Sequence, residues 1–383
     1  MKSFPKSIQS ELNQQQQNDA LQKGALFNDL IDFASNDYLG FSHSEIIFKE
    51  TQEYLIKNKS TEEAASGSQF LSGNRKLYQE TEAFIANFHQ TETALIFNSG
   101  CDAAIGFFSA VPQKGDFILY DELCNASISD GIQQSNAKAY KFNHNDFEDL
   151  EKLILLNPDT IIYIVTESVF SMDGDCPNLE ELVRISDKHH CYLVVDESHA
   201  LGVFDSKGEG FVQMLGLQDP IFARILTFEN ALGCPGAAIL GSVQLRDCLV
   251  NFAQSFKSTT WLSLHSVASI LTAYQHFEKE QQTISQLRKN IIHFNQEKNM
   301  LGLKPLFVHS KSAIQSAIIL GNENVTSGAK KLQEKGFDVK AILSPTVPEG
   351  QERLCFCLHS YNSEEEISEL LQLLSVFIFS PQI

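Results

Sequence analysis

The densest chemistry in the chain is a carboxylate with a histidine three residues on, in Val194-Val195-Asp196-Glu197-Ser198-His199. The β-branched run predicts a strand, and Asp196 falls at its C-terminal end, where parallel α/β sheets bind their ligands. An Asp and a His so placed could hold a protonated ring nitrogen or a metal. A second polar strand end is Thr166-Glu167-Ser168-Val169-Phe170-Ser171-Met172-Asp173-Gly174-Asp175. Asn98-Ser99-Gly100 closes a third strand ahead of a predicted helix, whose free backbone N–H groups can cradle a phosphate. Each of these reads equally well as a cap or a turn when taken alone. Gathered at one edge of one sheet, they point to a ring cofactor that carries a phosphate.

The elements that must position these residues alternate from about residue 45. Short apolar runs at Ala94–Asn98, Phe117–Tyr120, Ile161–Thr166, Tyr192–Asp196, Ile225–Phe228 and Ala238–Gly241 predict strands. Between them, Lys76–Phe88, Asp146–Leu155, Leu179–His190 and Gln244–Phe256 carry helical patterns. Strands spaced by such helices predict an α/β fold around a mainly parallel sheet. One long helix is expected over Ser263–Lys298, joining this unit to a smaller α/β domain. That domain would hold the segment Ser312–Leu320, a helix over Val325–Lys335, a strand over Arg353–His359 and a last helix from Glu364 to Phe377. The expected division is 1–45 as an N-terminal segment, 46–280 as the large domain and 281–383 as the small one. Gln9–Asp19, with its glutamine run Gln14–Gln17, is expected to be a frayed or helical lead.

Composition removes several function classes. With 29 Lys+Arg against 48 Asp+Glu, the net charge of −19 opposes a nucleic-acid partner. No apolar run follows Met1–Lys6, so export is not expected. The longest apolar stretches, such as Leu373–Phe379, fall far short of the roughly 20 residues of a membrane span. The eight cysteines are scattered and are expected to be reduced thiols in a cytoplasm. Cys101, Cys124, Cys234 and Cys355 fall near the polar motifs without metal-ligand spacing, so they are expected to be small buried packing residues.

Four further motifs, Ala34-Ser35-Asn36-Asp37-Tyr38-Leu39-Gly40, Leu71-Ser72-Gly73-Asn74, Asp130-Gly131 and Ser344-Pro345-Thr346-Val347-Pro348, span nearly the whole chain in that order. Together with the strand ends, they make the chain resemble the α-oxoamine synthase family, and within it the 8-amino-7-oxononanoate synthase-like branch. The resemblance implies the fold-type-I transferase architecture of pyridoxal-phosphate (PLP) enzymes, aspartate aminotransferase-like. It also implies decarboxylative condensation of an amino acid with an acyl-CoA, in a homodimer with the site at its interface. Carried across, it implies that Asp196 keeps the pyridine nitrogen protonated, making the ring an electron sink. His199 and Ser171 would lie near the phenolic oxygen. Ser99, Gly100, the backbone of Cys101 and Thr227 would form the phosphate cup, with Thr259 or Thr260 donated from the neighbouring subunit. Asn36 would be the N-terminal substrate residue.

Three departures divide that picture. The family's Schiff-base lysine belongs in Thr-x-x-Lys-Ala-x-Gly, and here the stretch is Thr227-Phe228-Glu229-Asn230-Ala231-Leu232-Gly233. An amide nitrogen shares its lone pair with the carbonyl and cannot attack an aldehyde. The ring-stacking His of His-Ala-Ser is Asn125 in Asn125-Ala126-Ser127, and the carboxylate-clamping Arg of Arg-Leu-Arg is Cys355 in Arg353-Leu354-Cys355. Gln69, Tyr78 and Ser129 stand where related sequences have Arg, His and Arg. Lys257, beside the interface loop, reads as a surface lysine, and Glu229 either repels a phosphate or faces solvent. Three readings follow: a non-catalytic homologue, a scaffolding partner in a heterodimer with a competent paralogue, or an enzyme that uses PLP without the covalent link or runs altered chemistry.

Overall fold

The computed structural model describes residues 4–17, 30–59 and 75–379. The Leu71–Asn74 motif and Gln69 lie outside the described residues. Seven strands form the central sheet: β2 (Thr93–Phe97), β3 (Phe117–Asp121), β4 (Lys138–Phe142), β5 (Ile162–Glu167), β6 (Tyr192–Asp196), β7 (Ala223–Thr227) and β8 (Ala237–Gly241). Their order is β2-β8-β7-β6-β5-β3-β4, with only β8 antiparallel to its neighbours. Every position of β5 and β7 is buried, as expected for strands covered by helices on both faces. Because β8 runs against both β2 and β7, the C-terminal ends of β2, β7, β6, β5 and β3 share one edge. That edge carries Phe97, Thr227, Asp196, Glu167 and Asp121.

Helix starts follow from side chains that accept the free N–H groups of the first turn. Ser99 caps Gly100–Ala110, Asn125 caps Ala126–Gln133, Asp146 caps Phe147–Leu155 and Asn178 caps Leu179–His189. The N-terminal lead is a helix over Lys6–Gln17. The single long helix expected over Ser263–Lys298 is two helices, Leu264–Lys279 and Gln281–Met300. They meet at Glu280, whose backbone (φ −102°, ψ 42°) leaves the helical region, and whose carboxylate accepts from the Thr283 hydroxyl at 3.0 Å. The apolar period continues across this break, so the pattern alone does not reveal it.

A second, antiparallel sheet joins β11 (Lys340–Ile342), β12 (Arg353–Cys357) and β9 (Ile314–Ile318) in the order β11-β12-β9. The short segment 31–33 joins this part of the molecule. β1 (Ile31–Asp32) pairs in parallel with β10 (Phe337–Asp338), and Cys357 N–H donates to the Phe33 carbonyl at 2.8 Å. Among the described residues no helix is long and apolar enough to cross a membrane.

Candidate active site

The shared strand edge gathers the sequence-predicted residues from three directions. Asp196 ends β6 and lies in register beside Glu167 at the end of β5. Both are buried, and burial raises both carboxyl pKa values, Glu167 the further because Asp196 adds like charge. Asp196 Oδ1 accepts from Ser198 N–H at 2.8 Å. Glu167 accepts the backbone N–H of Asn125 through one oxygen and that of Ser171 through the other, at 3.2 Å. One carboxylate therefore fixes the backbone at two of the expected site positions. Glu167 was visible in the sequence only as part of a polar strand end; nothing in its spacing showed this bridging.

Thr227 closes β7 and faces the start of the helix Gly100–Ala110. A side-chain carbon on Gly100 would stand 2.6 Å from Thr227 Cγ2, so only glycine allows this approach of strand end and helix start. Ser99 uses its hydroxyl to accept from Asp102 N–H at 3.1 Å, which leaves backbone N–H groups of this first turn for a ligand. Cys101 is exposed. Thr259 and Thr260 reach the same region, since Asn98 Nδ2 donates to Thr259 Oγ1 at 3.0 Å and to the Thr260 carbonyl at 2.6 Å. The resemblance assigns these threonines to a neighbouring subunit's phosphate; within one chain they are tied to its own Asn98.

Asn230 is buried in this group with its amide occupied. Nδ2 donates to the Ser198 carbonyl at 2.8 Å and lies 3.4 Å from both His199 Nδ1 and Thr227 Oγ1. His199 Nδ1 also meets the Tyr38 hydroxyl at 2.8 Å. Burial, and then the charge of Lys340, lowers the His199 pKa to about 4, so the ring is neutral at physiological pH. Asn125 turns away from any stacking duty: its Oδ1 accepts from both the N–H and the hydroxyl of Ser127 at 3.0 Å, as a helix cap.

The third direction is β12. Cys355 and Cys357 alternate onto one face of the strand, and both thiols are buried. Cys357 Sγ donates to Asn36 Oδ1 at 3.2 Å, which joins the expected substrate residue to this strand. The two thiols act on each other: Cys357 lowers the Cys355 pKa, and Cys355, with burial, raises that of Cys357. Lys340 stands directly across from Cys355 on β11. It is a site-facing cation that sequence reasoning missed, because only the hairpin register brings residues 340 and 355 together. Other sequence candidates are engaged elsewhere. Lys257 Nζ donates to the Asn251 carbonyl at 2.8 Å, Glu229 is exposed, and the Tyr78 hydroxyl donates to the Leu262 carbonyl at 2.8 Å.

The residues present fit one half of a PLP site. Two buried carboxylates lie side by side, and among the described residues no cation contributes to lowering the pKa of either. A protonated pyridine nitrogen would supply the missing charge, and the Gly100 cradle beside Thr227 suits a phosphate. The covalent half does not fit, because the group at position 230 is an amide.

Comparison with known proteins places this arrangement. The family described as aminotransferase class I and II matches residues 28–374. The chain is 38% identical over 367 residues to the 8-amino-7-oxononanoate synthase of Emericella nidulans, covering 91% of this chain and 89% of that protein. Among solved structures, a serine palmitoyltransferase from S. paucimobilis superposes with a TM-score of 0.88 at 23% identity, covering 97% of this chain and 96% of that one. The 8-amino-7-oxononanoate synthase of Francisella tularensis gives 0.78 at 26% identity, over 93% of this chain and 100% of that one. The fold is therefore that of the fold-type-I PLP transferases, and the chain belongs to the aminotransferase class I and II family, on its α-oxoamine synthase branch.

Proposed function

We propose that this chain is a non-catalytic α-oxoamine synthase homologue that no longer carries out the ancestral condensation and keeps a non-covalent seat for PLP. The observation that carries the reading is Asn230, buried and hydrogen-bonded to the Ser198 carbonyl at the position where the family has its lysine. Its amide can neither attack a carbonyl nor carry a proton to and from carbon. Asn125 is spent on a helix cap and Cys355 carries no positive charge to clamp a carboxylate, so two further parts of the reaction lack their groups. When bound, PLP supplies an electron-withdrawing ring. Asp196 would hold its ring nitrogen, and the N–H groups after Ser99, with Thr227, would hold its phosphate. The uncompensated pair Glu167–Asp196 supports this retained seat.

Titration of the purified protein with PLP tests both parts, read by thermal shift and by absorbance before and after borohydride. A ligand that binds only the folded state must raise Tm. The expected result is a rise in Tm at up to millimolar PLP, no borohydride-reducible band, and loss of the rise in Asp196→Asn. A reducible band would overturn the non-catalytic reading, since some other lysine would then form the link. No change in Tm would overturn the retained seat.

A further inference from the structure

We infer that the small sheet's flank carries a separate binding site for a small organic anion, an apolar body ending in a carboxylate or phosphate. The site is a cavity of about 520 Å³ between the helix Gln281–Met300 and residues 304–311. It shares no lining residue with the candidate active site. Lys298, Lys304, His309 and Lys311 line it, and no Asp or Glu does. In a chain of net charge −19, a concave surface with three lysines and no carboxylate focuses a local positive potential.

Lys298 marks it as a built site. Only 4% of this residue is exposed, a rare state for lysine. Its ammonium has three donors and, among the described residues, one hydrogen-bond acceptor, Gln315 Oε1 at 3.0 Å. Two aromatic rings flank it, with the Phe307 ring centroid at 4.8 Å and that of Phe294 at 5.7 Å. Burial, and then the neighbouring Lys304, lowers its pKa to about 8. An anion between Lys298 and Lys304 would relieve both influences: it would satisfy the free donors and cancel the repulsion of like charges. Phe307 and Ile291, which line the same cavity, give the apolar part of such a ligand its contact.

Calorimetric titration of the full chain with octanoate, octyl phosphate and neutral octyl glucoside tests the site. The two anions distinguish a carboxylate from a phosphate head, and the glucoside measures what the alkyl chain binds by itself. The expected result is binding of at least one anion, weakened tenfold or more in Lys298→Met and again in Lys304→Gln/Lys311→Gln, with the glucoside at least tenfold weaker. The double variant changes only exposed side chains, so it remains informative if Lys298→Met folds poorly. Absence of binding by both anions at 10 mM, or affinity unchanged in the double variant, would overturn the inference. Neither result bears on PLP binding, because Asp196 and Thr227 are untouched.

Discussion

The resemblance sets Asn230 where the family has an amine, and an amide differs from an amine in its electrons. The nitrogen of Asn230 donates to the Ser198 carbonyl, and its lone pair is delocalised into its own C=O, so no basic or nucleophilic nitrogen exists there at any physiological pH. Asn230→Lys restores that nitrogen among groups that can receive it, Thr227 and the neutral His199. The variant is expected to show a borohydride-reducible absorbance band with PLP. It is not expected to condense an amino acid with an acyl-CoA, because Asn125 still caps its helix and Cys355 brings no cation. Recovery of condensation at more than about 10⁻² of a competent synthase would show that those two replacements are cosmetic, since loss of proton-transfer groups by itself costs roughly 10²–10⁴-fold. The resemblance marks 125, 230 and 355 as departures in the sequence itself, as each sits inside a motif whose flanking residues match.

The strand-end loops are held together by a histidine that the chemistry at position 230 does not use. His144, two residues after β4, meets Asp121 at the end of β3 and Asp175 beyond β5, both at 2.9 Å. Burial opposes its charge, but the hydrogen bonds and the charges of the two carboxylates outweigh it and raise its pKa from 6.5 to about 9. A histidine whose folded pKa is raised stabilises most where both states are protonated, below about 6.5. The stabilisation is lost as pH rises through about 9. The fall in Tm between pH 6.5 and 9.5 is therefore expected to be smaller in His144→Gln than in the unmodified chain, and equal slopes would show that the bridge is energetically idle. Such bridges are invisible to periodicity, which reads one element at a time. The buried strands β5, β6 and β7 were legible because their runs are apolar and end in polar residues. β4 was not, because four of its five residues are exposed and two are lysines. β11 escaped because its register with β12, which sets Lys340 against Cys355, is fixed by the hairpin and not by composition.

Across the whole molecule, the candidate site is complete only while the small sheet is locked to the large one. The segment after β5 runs directly against the small sheet: Ser316 Oγ donates to the Met172 carbonyl at 2.6 Å and Ser310 Oγ to the Gly174 carbonyl at 2.7 Å. Gly174 has φ +71°, and a side-chain carbon there would strike the Ile314 carbonyl, so this contact requires glycine. At its centre the buried Arg353 of β12 donates to Asp173. Removing one partner of a buried ion pair strands the other charge and costs about 3–5 kcal/mol. Arg353→Met is therefore expected to lower unfolding stability in urea by about 3 kcal/mol. The form of the transition decides whether that loss belongs to the whole chain or to the small part alone. Trp261, the single tryptophan, packs on Tyr78 and Phe256 at 4.7 and 4.9 Å, neither of them part of the small sheet. If the sheets unfold as one unit, Trp261 fluorescence and far-ultraviolet circular dichroism will share one midpoint, and both will move together in Arg353→Met. A dichroism change preceding the fluorescence change would mean that the small sheet melts first. Asn36, Cys355 and Lys340 would then leave the site while Asp196 and Asn230 stayed in place.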